Sequence, residues 1–180
     1  MDDISKELAK LHVLTGADFS RQVERIAKMN VFRPLEGESN VFITGGEQDG
    51  DFENLLSAAH KAVEHGYRVF ILPNPKRVRS ADFIFERKRI YRLYDLKTVT
   101  GKGSVDNRLS ESIGQSNRVV LNINTDYKAG KLARSIKAYF ERYDEGLEII
   151  VFKSNKIISV TRQMVRDKNF IITFSKKYYK

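Results

Sequence analysis

The sequence has no cysteine and only three histidines among its 180 residues. Neither a disulfide framework nor a thiolate zinc site is available to it, and a His-rich metal centre has too few ligands to draw on. Any bound metal would be held by oxygen. Also missing are an apolar run long enough to span a bilayer as a helix, and an N-terminal basic region followed by an apolar one. The expectation is a cytoplasmic protein with no membrane partner. No internal repeat or low-complexity block divides the sequence. At this length a core can bury about 70% of the surface the unfolded chain exposes.

What is present in excess is positive charge. The formal net charge is +9, and a basic surplus concentrates polyanions at a protein surface. The surplus is local as well: from Pro75 to Lys102 nine basic residues face three acidic ones. Membrane-surface binding favours a basic amphipathic helix, whereas this segment reads as strand and turn. Nucleic acid is therefore the expected partner, with Arg77, Arg79, Lys102 and Arg108 as candidate phosphate contacts.

The centre of that basic region is Ser80 to Thr98. Asp82 to Phe85 and Ile90 to Lys97 have strand character, and Glu86 to Arg89 is a charged turn between them, which is a hairpin signature. Alternate side chains of a strand share a face, so Asp95 and Lys97 project to one side and Leu96 to the other. A carboxylate beside an ammonium, with Asp82 near by, suits a hard-oxygen metal site for phosphodiester hydrolysis. Asp82 and Asp95 would hold Mg²⁺ or Mn²⁺ with waters completing the shell, and Lys97 would orient or deprotonate the nucleophile. The plain alternative is a surface ion pair on a solvated strand face.

Around this centre the pattern alternates helix and strand. Asp2 to Val13 and Asp18 to Met29 are expected to be amphipathic helices, forming a lead over residues 1–36 that packs on the edge of a core over 37–180. Pro34 to Gly50 is rich in turn residues, with a short strand at Val41 to Thr44. Its glycines do not form a phosphate loop, since Asp51 and Phe52 follow Gly50 where Lys and Ser or Thr are required. Asp49 or Asp51 is expected to cap a helix from Phe52 to Glu64, with Glu53 in its first turn compensating the helix dipole. Tyr67 to Leu72 reads as a strand.

Beyond the hairpin, Thr98 to Ser104 either closes over a phosphate, using backbone N–H groups and Lys102, or simply connects. Val105 to Ser116 is expected to be a helix with Arg108 and Gln115 on one stripe. They would bind phosphate and position the nucleophile or a base edge, or else lie on solvated surface. Arg118 to Ile123 reads as a central strand buried on both faces. Tyr127 to Tyr143 is a helix with Leu132, Ile136, Phe140 and Tyr143 inward and Lys128, Lys131, Arg134, Lys137 and Arg142 outward. Glu148 to Lys153, Lys156 to Thr161 and Phe170 to Phe174 read as strands, with Ser154 and Asn155 as the turn between the first two. The tail from Ser175 to Lys180 mixes cations with aromatics, a combination that could stack on or neutralise nucleic acid, and is expected to fray. The order implies an α/β fold, a mixed central sheet flanked by helices.

In its helix with Glu53, the strand after it, Asp82 opening the next strand, and Asp95-Leu96-Lys97, the chain resembles the PD-(D/E)xK, or restriction-endonuclease-like, nucleases. In particular it looks like the C-terminal nuclease domains of bacterial contact-dependent growth-inhibition toxins, which follow their catalytic strand with a Gly/Ser loop, a helix carrying a Gln and a hydrophobic strand. The likeness spans roughly residues 50 to 125, and Ala81 stands where the family name has Pro, at a position that the family keeps loosely. The resemblance implies a divalent-metal-dependent endonuclease acting on DNA or tRNA. Asp82 and Asp95 would be metal ligands, Glu53 an auxiliary acid that coordinates metal or water, Lys97 the catalytic cation and Gln115 a further site residue. It brings in an immunity protein as a possible partner. Those toxins are the tail ends of very large exported proteins, whereas this sequence opens with Met1 and a helical lead, so a mobile-element or defence nuclease is an equally compatible setting. Two other readings stay open: a metal-independent ribonuclease using His60 or His65, and a non-catalytic nucleic-acid-binding protein that retains the fold.

Overall fold

The computed structural model describes residues 3–46, 51–74, 80–101 and 103–180. The chain is a mixed α/β protein that divides into two compact units, Met1–Tyr94 and Asp95–Lys180. The boundary falls inside one long strand, whose residues 90–94 pair in the first unit and 95–99 in the second.

The first unit runs α1 (Asp3–Lys10), α2 (Gly16–Ala27), β1 (Phe32–Leu35), β2 (Glu38–Thr44), α3 (Phe52–Glu64), β3 (Arg68–Ile71), β4 (Phe83–Arg87) and the start of β5 (Ile90–Val99). Neighbouring strands pair in chain order. Every pairing is antiparallel except β2 with β3, which α3 links as the crossover helix a parallel pair requires. The turn-rich segment before α3 thus supplies two paired strands where one short strand was expected. The helical lead packs on this unit: Ile4, Leu8, Val23 and Ile26 join Phe70, Ile84 and Leu93 in one buried cluster. Asp51 takes the N-cap position of α3, with its carboxylate accepting from Asn54 Nδ2 at 2.8 Å.

The β4–β5 hairpin turns more tightly than the charge pattern implies. Glu86 and Arg87 are still in the ladder, and only Lys88 and Arg89 form the loop, at φ 53° and 64°. Positive φ at both central residues matches the right-handed twist of the flanking strands. Glu86 is buried and ties the corner together, accepting from the Arg89 N–H at 2.8 Å and lying 3.6 Å from Arg68 Nη1.

The second unit continues through the end of β5, α4 (Val105–Ser112), β6 (Arg118–Ile123), α5 (Ala129–Arg142), β7 (Glu148–Lys153), β8 (Lys156–Thr161), α6 (Arg162–Val165) and α7 (Phe170–Tyr179). β5, β6 and β7 are parallel, joined by α4 and α5, and β8 returns antiparallel along β7. β6 lies between two parallel neighbours and is buried from Val119 to Ile123, as its almost continuously apolar run implied.

Phe170 to Phe174 is helical, which corrects the expected last strand. Its β-branched and aromatic residues favour a strand locally, but Phe170, Phe174 and Tyr178 recur every fourth residue and form the buried stripe of α7 against Leu132 and Ile136. The C-terminal segment is therefore a helix seated on the core, with Tyr178 buried, in place of the frayed tail. At the end of α5, Arg162 donates to the carbonyls of Phe140 at 2.5 Å, Tyr143 at 2.6 Å and Gly146 at 3.0 Å. A cation there complements the negative end of the helix dipole and satisfies acceptors that lack intrahelical partners.

Candidate functional site

Asp95 and Lys97 lie two residues apart on β5, and Lys97 Nζ is 3.0 Å from Asp95 Oδ2. The shared face expected from strand periodicity is therefore observed, but that face is covered. In the parallel ladder Asp95 pairs with Val119 and Lys97 with Leu121, which pair in turn with Ile149 and Val151. Residues paired in this way point to the same side of a sheet. Those four apolar residues belong to the core cluster containing Leu109 of α4, Leu132 and Ile136 of α5, and Phe174 of α7. Asp95 is consequently 1% exposed and the Lys97 side chain 12%. This is a buried ion pair, not the solvated surface pair that the isolated motif also allowed.

Tyr139, on the inner side of α5, belongs to the same environment. Burial pushes its phenol well above the ordinary range, and the neighbouring Tyr143 adds to that. The Ser112 hydroxyl and Arg162 pull it down, while the Asp95 charge pushes it up. Near neutral pH it is a protonated hydroxyl. Ser112 is fully buried and donates to the Leu109 carbonyl at 2.6 Å. Tyr139 was not among the residues singled out from sequence, although its spacing from Leu132 and Ile136 puts it on the inward stripe.

The other expected residues occupy varied positions. Asp82 is half-buried just before β4; its N–H donates to the Tyr94 carbonyl at 3.0 Å, and its carbonyl accepts from the Leu72 N–H at 2.9 Å. Glu53 is exposed in the first turn of α3. Arg108 is exposed on α4, 3.8 Å from Glu111. Gln115 lies beyond the helix: α4 ends at Ser112, Gly114 takes φ 88°, and Gln115 Nε2 donates back to the Glu111 carbonyl at 3.3 Å. Gln115 and Arg108 therefore do not share a helical stripe. Arg77, Arg79, Lys102 and Asp49 lie outside the described residues.

Among the described residues no group of three or more His, Cys, Asp or Glu is arranged to hold a metal ion. Asp95 is the buried carboxylate of the expected set, and it is held against an ammonium. A preassembled all-protein metal cage does not fit this donor set. A hard cation bound by one or two carboxylates and completed by water and substrate phosphate is the arrangement that the nuclease resemblance would need. Among the described residues, no helix is long and apolar enough to cross a membrane.

No family model matches the sequence, and no curated protein does. Among solved structures, the chain is similar to one from the CdiA-CT/CdiI toxin and immunity complex of Burkholderia pseudomallei, with a TM-score of 0.42 and 16% identity over 66% of this chain and 98% of that one.

Proposed function

We propose that the protein is a divalent-metal-dependent nuclease that hydrolyses phosphodiester bonds in DNA or tRNA, with Asp95 and Lys97 at the centre of its site. The observation that carries this reading is the burial of that ion pair. Removing two charges from water costs several kcal/mol per ion, and apolar side chains of similar volume are commonly as stable or more so. Valine or leucine at these two positions would continue the core made by Val119, Leu121, Ile149 and Val151. A charged pair kept in that setting is explained by chemistry better than by stability.

In this reading Asp95 contributes the principal oxygen ligand. Mg²⁺ or Mn²⁺ bound there would polarise the phosphate and acidify a water. Lys97 orients or deprotonates the nucleophile, while Gln115 positions the nucleophile or a base edge. Hydrolysis then adds the elements of water across one P–O bond: the new oxygen joins phosphorus and the leaving oxygen takes up a proton.

The test is cleavage of duplex DNA, single-stranded DNA and total tRNA with Mg²⁺ or Mn²⁺, with and without EDTA. Asp95→Asn and Lys97→Gln should each lower the rate per folded molecule by about 10²–10³-fold, with the folded fraction measured by circular dichroism. Activity that survives chelation or both substitutions would overturn the assignment. Binding without cleavage under any metal would make the chain a non-catalytic nucleic-acid-binding protein.

A further inference from the structure

Helix α5 places its charges differently from the helices before it. The helices α1 to α4 each carry an acid in the first turn (Asp3, Asp18, Glu53 and Asp106), where it suits the positive end of the helix dipole. The first turn of α5 has none; Lys128 occupies its N-cap and Lys131 follows within the turn. The contrast extends to pairing. Lys10, Arg21, Lys28 and Arg108 are each matched by a carboxylate three or four residues away. Among the described residues, no carboxylate lies at ion-pair distance from Lys128, Lys131, Arg134 or Arg142, all of them exposed. Glu141 is the sole acid in α5. Lys128 and Lys131 oppose the helix dipole, and cations placed this way on one helix are stabilised by an external polyanion.

Two further features narrow the polyanion. Tyr179 is 65% exposed, its ring meets Tyr178 edge to face, and its hydroxyl accepts from the Ala129 N–H at 3.1 Å, so an aromatic surface is pinned at the N-terminal end of the basic row. An open aromatic face stacks on an unpaired base, which a duplex does not offer. In addition, α5 contains no Asn or Gln, the residues that read base edges most directly after Arg.

We propose that the outward face of α5, with Tyr179 at its N-terminal end, binds single-stranded nucleic acid through backbone phosphates and a stacked base, without sequence preference. As a statement about substrate this rests on the nuclease reading above; as a statement about binding it does not. The test is fluorescence anisotropy of the full chain with labelled oligothymidylate, and with a duplex of equal length, across a salt series in EDTA. The triple variant Lys128→Gln/Lys131→Gln/Arg134→Gln should weaken single-strand binding at least ten-fold. It should also flatten the slope of log affinity against log salt by about two, since each phosphate contact on a single strand contributes about 0.7. Tyr179→Ala should weaken single-strand binding at least about five-fold and leave the duplex unaffected, while Tyr179→Phe, which keeps the ring, should retain affinity. A matched triple, Lys10→Gln/Arg21→Gln/Lys28→Gln, removes equal charge from paired positions and should change little. The proposal is overturned if the two triples weaken binding equally, if the α5 triple leaves the slope unchanged, or if Tyr179→Ala has no effect or acts equally on duplex. Cleavage is measured separately, so an inactive protein that binds in this way refutes the nuclease reading alone.

Discussion

Asp95 and Lys97 show how much one residue's surroundings change its meaning. Their i, i+2 relation puts them on one face whatever the fold, and that part was legible from strand periodicity alone. Their burial was not, because it depends on α4 and α5 crossing over the face that β5 shares with β6 and β7. The buried pair makes a prediction that separates stability from chemistry. Replacing both by apolar residues, Asp95→Leu/Lys97→Met, should leave the melting temperature unchanged or raise it, with a gain of up to about 4 kcal/mol, while abolishing cleavage. Lys97→Met alone strips the guarding ammonium from a buried carboxylate and should cost about 3–5 kcal/mol in denaturant unfolding. A double variant as unstable as the single would show that the pair is structural. Arg118 and Glu148 form a second such pair at 2.8 Å, with Ser159 Oγ also donating to the buried carboxylate. Those hydrogen bonds join three adjacent strands.

At the scale of elements, regular periodicity was read well and local propensity misled. The Phe52–Glu64 helix and the strands Glu148–Lys153 and Lys156–Thr161 have the expected bounds. In α7 an apolar run rich in isoleucine and phenylalanine became a helix, because the i, i+4, i+8 stripe is what α5 and β8 bury. Phe174→Ala should accordingly cost about 3–5 kcal/mol, whereas a frayed tail would tolerate it. The β4–β5 turn forces two long cationic residues into left-handed backbone, where side chains are disfavoured. Lys88→Asn/Arg89→Gly should raise the melting temperature by several degrees, a gain of about 1 kcal/mol corresponding to about 2–4 °C at this size. Arg162→Ala removes three charge-assisted bonds from the end of α5 and should cost about 1.5–3 kcal/mol in urea unfolding.

For the whole molecule, the basic excess and the buried phenols set the response to solution conditions. Burial raises the Tyr178 hydroxyl from 10.0 to about 12, with Tyr179, Asp126 and Tyr127 adding to it, and raises Tyr139 further. A group whose folded value is raised holds its proton longer in the native state than in the unfolded chain. Its contribution is fully present below pH 10 and is lost as pH climbs towards 12 and beyond. Urea midpoints should therefore fall steeply above pH 10. Tyr139→Phe and Tyr178→Phe should flatten that fall; an unchanged profile in both would mean that these phenols do not control alkaline unfolding.

The sequence by itself determined the fold class of the protein. Alternating helix and strand periods required an α/β fold, the absence of cysteine ruled out disulfides, and the composition set a net charge of +9. These follow from local composition and spacing, which no tertiary contact alters. Tertiary structure alone decided which faces are covered. It buried the Asp95–Lys97 pair, brought Tyr139 into its environment, turned the last apolar run into a packed helix and left the outer arc of α5 as a basic row with no carboxylate at ion-pair distance among the described residues. Burial is a property of how elements cross, and that depends on residues far apart in the chain.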